Sequence, residues 1–410
     1  GPIIKNKLFL FANFERTKKE LDNPYSSKNG MSKVDFDVAQ NILDYVRTEA
    51  AKQGVNSLGT LGTPKQYPYS DNVGLKFDWN INDNNHAALR WSFVDAKQNN
   101  NVATASQLVT NDHAYDMVSK TNTLIFELNS RISKSMSNEF HASWTSVREK
   151  RNPGNPFPMI QISNVGNGTL CIGNERSSMA NGLDQDIYTF TDNFTLNLGE
   201  HAITLGTHNE IYNFGNLFCQ DIYGTYMYAN VDDFYAGKLD RFRYGQAVES
   251  VTGTKRWTPN FGAGQLGFYI QDKWVVNQKL DLTFGLRADL PFMMDTPSEN
   301  KEFNAFAKSQ GWDLVTNQKI AVKPMWSPRL GFRWDANGDH STIRGGVGIF
   351  TGRVPYVWLS NNFSNTGIQQ MSYSTFNTTG IVPQYDVNNA VLADSRINPT
   401  VPAQNAQTIN

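Results

Sequence analysis

Residues 266–293 read LGFYIQDKWVVNQKLDLTFGLRADLPFM, and this stretch decides the fold class. In its second half an apolar residue stands at every second position from Leu280 to Leu286, with mostly polar residues between them. This period of two predicts a β-strand. The first half, 266–275, is aromatic and β-branched, and the link 277–279 is short and polar. The stretch therefore predicts a β-hairpin.

Each strand of this hairpin is about ten residues long, with an apolar row on one face and ionisable groups on the other. A soluble sheet would bury the apolar row against a second sheet. A transmembrane β-barrel would turn the row to lipid and keep the ionisable groups in a wet lumen. Asp272 shares the phase of Phe268 and Ile270, so it lies beyond the lipid boundary or a bulge shifts the register.

Composition leaves the membrane interpretation open. The chain has 410 residues, 39% of them hydrophobic, with 37 basic and 38 acidic side chains and a formal net charge of -1. No basic block stands out, so nucleic acid is not an expected partner. No apolar run reaches the roughly eighteen residues of a transmembrane helix. The mean hydropathy of -0.48 still suits a barrel, because a spanning strand needs only alternate apolar residues.

The same pattern recurs along the chain. A first strand covers 7–16, and further hairpins pair 73–79 with 87–93, 124–128 with 140–144, 194–198 with 201–212, and 330–334 with 343–349. Together with the hairpin at 266–293 they give eleven predicted strands. Single-chain bacterial barrels have even numbers of strands, so eleven predicts part of a larger barrel with an open edge at each end.

The connections alternate strictly between short and long. Short turns follow residues near 80, 131, 198, 276 and 335, and long excursions cover about 18–72, 97–120, 150–185, 215–264, 291–326 and 351–410. Short periplasmic turns and long extracellular loops are typical of outer-membrane barrels, whereas propellers and sandwiches lack this segregation. Trp79, Trp274 and Trp334 stand beside short turns, which favours an interfacial girdle over aromatic core filler.

Two features lie in the long excursions. The segment 33–53 predicts an amphipathic helix, which we interpret as a loop decoration rather than a partner site. Cys171 and Cys219 either form one loop-to-loop disulfide or remain free thiols, and the sequence favours neither alternative.

Three stretches resemble the barrel of TonB-dependent outer-membrane receptors, and most of all the Oar-like branch common in Bacteroidota. They are GPIIKNKLFLFANFE at the start, FYIQDKWVVNQKLDLTFGLRAD, and WSPRLGFRWDANGD with IRGGVGIFTGR. The likeness extends from Gly1 to about Ser364. It implies a barrel of about 22 strands, with residues 1–350 as part of it and 351–410 as an extracellular loop segment.

The resemblance also implies partners beyond the chain. A plug domain and the remaining strands would belong to the same polypeptide, and a TonB-type protein would couple energy through them. The chain opens Gly1-Pro2-Ile3-Ile4 without an initiator Met, which favours an excised or processed piece over a protease scar. The expected location is the outer membrane of a Gram-negative bacterium, in contact with its lipid, and a surface lipoprotein is a further candidate partner.

No catalytic motif occurs in the sequence. It has no G-x-S-x-G, P-loop, G-x-G-x-x-G after a strand or H-E-x-x-H, and its six histidines lack metal-ligand spacing. His208 and Glu210 share a strand face, as polar lumen residues do. The turn 335–339 resembles half of a calcium loop, but His340 replaces its glycine and Gly346 its terminal acid. We therefore expect no enzyme, no metal and no cofactor.

Ligand contact is predicted in two regions. The loop 220–245 is rich in aromatic and basic residues, a mixture that binds ligands through flat area and charge. A second region, 352–362, lies above the last strand. The candidate residues are Tyr223, Tyr226, Tyr228, Phe234, Arg241, Arg243, Tyr244, Arg353 and Trp358. The alternative, in which the aromatics of 220–245 pack on one another above the membrane, is favoured over a ligand site.

Three functions fit these expectations. The first is a receptor whose loops bind an extracellular solute for energy-coupled uptake. The second is an outer-membrane barrel that serves adhesion or docks a partner. The third is a soluble β-rich carbohydrate-binding protein. A plug sequence upstream would favour transport, and recovery from the soluble fraction would favour the third.

Overall fold

The computed structural model describes residues 1–26, 28, 30–62, 65–336 and 341–387. The strands are β1 (Pro2–Ile4), β2 (Leu8–Lys18), β3 (Tyr69–Asn82), β4 (Asn85–Asn100), β5 (Gln107–Val109), β6 (Tyr115–Arg131), β7 (Met136–Pro153), β8 (Met159–Val165), β9 (Gly168–Ile172), β10 (Asn181–Leu198), β11 (His201–Phe218), β12 (Thr225–Tyr228), β13 (Lys238–Ala247), β14 (Asn260–Asn277), β15 (Leu280–Met293), β16 (Met325–Asp335), β17 (Thr342–Gly348) and β18 (Gln370–Thr379). The helices are α1 (Phe36–Lys52), α2 (Val231–Tyr235), α3 (Glu249–Thr252), α4 (Lys301–Ser309) and α5 (Tyr356–Ser364).

Twelve strands form one antiparallel sheet in the order β1-β2-β3-β4-β6-β7-β10-β11-β14-β15-β16-β17. Each strand pairs with the next long strand along the chain, as in an up-and-down barrel. The eleven predicted strands are all present, and the short β1 is an addition within the described residues. The sheet runs from β1 at one edge to β17 at the other without closing, so part of a larger barrel is confirmed.

The register of the sheet separates an apolar face from a polar one. Leu75 pairs with Trp91, and Phe268 pairs with Ala288, so the apolar rows continue across neighbouring strands. Phe268 is 52% exposed, although it belongs to the apolar row. Trp79 and Trp334 are also exposed beside short turns, which makes the core-filler alternative wrong for them. The outer face is thus apolar and uncovered, as a lipid-facing surface is.

Asp272 lies on this outer face. The pairing of β14 with β15 runs without a shift from Ala263 to Val275, so no bulge moves Asp272 out of the phase of Phe268. The His201 ring donates a hydrogen bond to the Asp272 carboxylate across 2.7 Å and stacks on Trp274 at 5.4 Å. The bulge alternative is therefore wrong for Asp272, and a hydrogen-bonded polar pair lies near the short-turn end of the sheet.

The opposite face, here called the inner wall, carries mostly polar residues. His208, Glu210 and Tyr212 alternate along β11, and Glu210 lies opposite Gln265 of β14. The strands are joined by short turns at one end and by the long connections 19–68, 101–114, 154–180, 219–259 and 294–324 at the other. The predicted segregation of short periplasmic turns and long extracellular loops is confirmed.

Segments from the long connections build a second sheet, in the order β18-β13-β12-β8-β9-β5. We call this sheet, together with α1 and α2, the loop domain. Its strands come from four separate places in the chain, and the pairs β12–β8 and β5–β9 are parallel. Parallel pairing between distant segments means that the loops fold together as one unit.

Helix α1 provides a large part of the core of the loop domain. Asp35 caps its first turn by accepting hydrogen bonds at 3.1 Å from the backbone N–H groups of Asp37 and Val38. Ile42 and Leu43 have no exposed surface and pack in one cluster with residues of β8, β12 and β13. The prediction of a helix here is confirmed, but its interpretation as a decoration is wrong, because its apolar stripe joins the core.

No helix among the described residues is both long and apolar enough to cross a membrane.

Candidate functional site

Three of the candidate ligand residues are buried inside the loop domain. Tyr226, Tyr228 and Phe234 each expose 5% or less of their surface. The Tyr226 ring lies 4.9 Å from that of Phe242, and Tyr228 meets Phe234 edge to face at 5.2 Å. Burial raises the pKa of Tyr226 to about 12, so its hydroxyl stays protonated. The role that the structure shows for these three residues is packing, the alternative favoured by the sequence.

Tyr223 and Tyr244 lie closer to the surface. The Arg256 guanidinium donates to the Tyr223 hydroxyl and lies over its ring at 5.2 Å from the centroid. The Tyr244 hydroxyl donates to the side-chain oxygen of Gln246 at 2.8 Å. Both tyrosines keep part of their rings accessible, and ligand contact stays a prediction for them.

Arg241 and Arg243 follow each other on one face of β13. Arg241 Nε donates to the Ser374 hydroxyl at 3.0 Å, and its guanidinium lies 4.5 Å from the centre of the Phe376 ring. The Nε of Arg243 is buried and has no hydrogen-bond partner among the described residues. Burial and the positive charges of Arg176 and Arg241 lower the pKa of Arg243. The two arginines therefore differ: one is held by contacts, and the other is not.

The residues after β17 turn back onto the inner wall. We call residues 349–364 the inward segment. Its Arg353 guanidinium contacts the Glu210 carboxylate and lies 5.4 Å from the centre of the Tyr212 ring. The Tyr356 hydroxyl donates to the Gly264 carbonyl at 3.0 Å, and Phe363 stacks on Phe261 at 4.5 Å. Residues from β11 and β14 thus fix this segment by charge and by packing.

A second polar cluster binds the start of the inward segment. Asp289 is 1% exposed and accepts hydrogen bonds from Arg287 at 2.7 and 2.8 Å. It also accepts from Gln265 at 2.9 Å and from the Thr351 hydroxyl at 3.0 Å. A buried carboxylate with this many donors is electrostatically satisfied. Asp289 is therefore a fixed anchor point of the inner wall.

The sequence signalled only part of this arrangement. The sequence analysis names Arg353 as a candidate and interprets Glu210 as an ordinary polar lumen residue, and it does not single out Asp289. Their inward phase was the one available signal, and it does not reveal which distant segment pairs with them. The described part of the predicted loop segment 351–410 ends at residue 387, and Trp358 on α5 is 74% exposed.

Cys171 and Cys219 are both buried as free thiols in one small cluster with Met179 and Ile222. The disulfide alternative is not formed in this structure. Burial raises the pKa of each thiol to about 12, so both are protonated and unreactive at neutral pH.

No group of three or more histidine, cysteine or acidic side chains within the described ranges could hold a metal ion. Residues 337–340 of the calcium-like turn lie outside the described residues.

A family profile described as "Outer membrane beta barrel domain" matches residues 22–410. The chain belongs to this outer membrane beta-barrel domain family. No curated protein matches the sequence. Membership places the chain in the outer membrane of a Gram-negative bacterium and its apolar face in contact with lipid. The hypothesis of a soluble carbohydrate-binding protein is therefore wrong.

Solved structures similar to this outer membrane beta-barrel domain include transporters and receptors. The outer membrane transporter YddB from Escherichia coli matches at 12% identity and a TM-score of 0.47, over 81% of this chain and 35% of that chain. The siderophore receptor PirA from Acinetobacter baumannii matches at 16% identity and a TM-score of 0.45, over 85% of this chain and 39% of that chain. The ferric yersiniabactin uptake receptor FyuA from Yersinia pestis matches at 10% identity and a TM-score of 0.42, over 82% of this chain and 41% of that chain. The chain spans less than half the length of each.

Proposed function

We propose that this chain is part of a TonB-dependent receptor of the Oar-like type, which captures an extracellular solute for energy-coupled uptake. The observation that carries the proposal is the inward segment. This segment begins directly after β17 and contacts Glu210 and Asp289 on the inner wall. The chain then continues to β18 of the loop domain. A continuous stretch of chain therefore links the extracellular surface to the inside of the barrel.

The chemistry of the inner wall supports passage rather than surface display. Its anchors are a carboxylate–guanidinium contact at Glu210 and a carboxylate with four donor contacts at Asp289. These contacts are hydrogen-bonded and electrostatic, so a competing polar solute or a moving plug could replace them. Release of the whole segment would also separate Tyr356 and Phe363 from the apolar cluster on β11 and β14. Adhesion would require only the outer surface of the loops, so it would not explain the polar contacts between the inner wall and the inward segment.

The remaining parts of the proposed receptor lie outside this chain. The plug, the further strands and the TonB-type coupling protein follow from the resemblance. The plug would close the solute path through the barrel from the periplasmic side. The TonB-type protein would use inner-membrane energy to open the path and release the inward segment.

The experiment compares cells that lack the gene with cells complemented by the full-length gene, both grown in conditioned medium. Untargeted mass spectrometry measures which compounds accumulate, with and without a protonophore. We expect at least one compound to accumulate only in complemented cells and only without the protonophore. If no compound depends on both the gene and the proton gradient, uptake is refuted.

The second candidate, adhesion or docking of a partner such as a surface lipoprotein, rests on exposed aromatic residues of the loop domain. Tyr45 and Tyr235 meet edge to face at 5.3 Å and are 42% and 48% exposed. This pair offers apolar area to another protein. Loss of cell attachment upon deletion of the gene, unaffected by protonophore, would favour this candidate over uptake.

A further inference from the structure

The loop domain contains a guanidinium group with a buried nitrogen that has no hydrogen-bond partner in the described part of the chain. Arg243 lies on β13, opposite Thr225 of β12 and Ser374 of β18. Its Nε is buried without a hydrogen-bond partner among the described residues. An arginine cannot escape this situation by losing its proton, because the guanidinium stays charged at any physiological pH. A buried donor that is left unpaired costs free energy, and the cost is higher for a charged group.

A second guanidinium points to the same place. Because side chains two residues apart in a strand share a face, Arg241 and Arg243 project from the same side of β13. Arg241 Nε donates to Ser374, the residue that lies directly opposite Arg243 in the register. The Arg241 side chain therefore reaches toward the position of Arg243, and both positive groups border on the Ser374 hydroxyl.

The nearby carboxylate is already occupied. Asp221 accepts from Arg176 through both of its oxygens, at 2.8 and 2.5 Å, and from the Thr225 hydroxyl at 2.6 Å. It is 6% exposed and has little remaining capacity to serve Arg243. The charges that act on Arg243 are the two guanidinium groups of Arg176 and Arg241 and the single carboxylate of Asp221.

We propose that Arg241, Arg243 and Ser374 form a binding site for an oxyanion, a carboxylate or phosphate group carried by an extracellular ligand. The planar guanidinium fork matches such groups in a bidentate manner, and the Ser374 hydroxyl adds a third donor. Phe376, which is 60% exposed beneath Arg241, offers a flat apolar surface to the body of the ligand. This inference rests on the proposed function and gives its solute a negative charge.

The test uses the full-length protein purified in detergent, titrated calorimetrically with inorganic phosphate and separately with citrate at constant ionic strength. We expect the Arg243→Gln variant to lose affinity by about tenfold to a hundredfold, the usual effect of losing hydrogen bonds to a charged group. Binding of phosphate alone identifies a phosphoryl group as the ligand chemistry, and binding of citrate alone identifies a carboxylate.

Lys238→Gln is the matched control. It removes one positive charge from the same strand, but Lys238 is engaged by Asp233 at 3.2 Å and lies at the far end of β13. Its affinity for either anion should equal that of the wild type. Equal affinity in Arg243→Gln and wild type, or no binding of either anion to the wild type, overturns the proposal.

A second measurement separates a binding role from a structural one. Without anion, Arg243→Gln should melt no lower than the wild type, because the lost Nε made no hydrogen bond. With saturating anion, only the wild type and the control should gain thermal stability, since a ligand stabilises the state that binds it. A variant that melts lower and still gains stability from the anion contradicts the site. Protonophore-sensitive uptake is measured independently, so its failure refutes transport without touching this result.

Discussion

Replacing Leu43 with alanine should loosen strands that lie more than a hundred residues away in the sequence. Leu43 has no exposed surface and belongs to the cluster that joins α1 to β8, β12 and β13. Truncation of a fully buried leucine removes transfer free energy and leaves a cavity, at a cost of about 2–5 kcal/mol. We expect the free energy of local unfolding of the loop domain to fall by this amount, while the stability of the barrel sheet does not change.

Hydrogen exchange followed by mass spectrometry in detergent is the assay. A loss of about 2–5 kcal/mol raises exchange from the opened state by a factor of roughly thirty to a few thousand, at 1.4 kcal/mol per tenfold. The acceleration should appear in β8 and β12 but not in β14 or β15. Asn41→Ala is the control, because Asn41 is exposed on the same helix and alanine is a good helix former.

An effect confined to α1, or no acceleration in β8 and β12, would refute the reasoning. It would mean that the helix does not share a core with the strands, and that the loops do not fold as one unit.

Three further predictions concern single side chains. Glu210→Gln should leave Arg353 without its anionic partner and accelerate hydrogen exchange in the inward segment. Glu127→Gln, elsewhere on the inner wall, should not accelerate it, and equal exchange in both variants would mean that the Glu210–Arg353 contact does not hold the segment. Burial lowers the pKa of His113, which donates to the Gly173 carbonyl at 2.8 Å, so the unfolded chain binds its proton more readily. The stability of the loop domain should therefore be complete above the unfolded pKa of about 6.5 and decline as pH falls below it, with a weaker decline in His113→Gln; a melting temperature that does not fall between pH 7 and 5 would be inconsistent with this burial. Maleimide at pH 7 should leave both buried cysteines unlabelled in the folded protein and label both after unfolding in denaturant; rapid labelling of the folded protein would rule out their burial.

Much of the barrel could be predicted from the sequence, because the information is local. The alternation from Leu280 to Leu286 fixes which side chains share a face, and the short link after β14 fixes the partner strand. A shift by one residue would turn the apolar row to the wrong face, so the register follows from the pattern itself. The pairing of Leu75 with Trp91 follows in the same way.

The loop domain could not be predicted at this level. Tyr226 and Arg243 stand close together in an aromatic and basic stretch, and nothing in the stretch distinguishes a core residue from a surface residue. The structure buries Tyr226 because β12 lies between β13 and β8, and β8 comes from a different loop. The same assembly buries the Nε of Arg243 and gives it no hydrogen-bond partner from the residues that the structure describes.

The sequence by itself determined the hairpins, their faces and the segregation of short turns from long loops, because each depends on the pattern of residues within one strand or one connection. Only the tertiary structure decided that α1 belongs to a core, that Glu210 and Asp289 hold the inward segment, and that the Nε of Arg243 is buried without a hydrogen-bond partner among the described residues. These features depend on contacts between segments from separate loops, and the burial and pairing of such contacts are properties of the assembled fold.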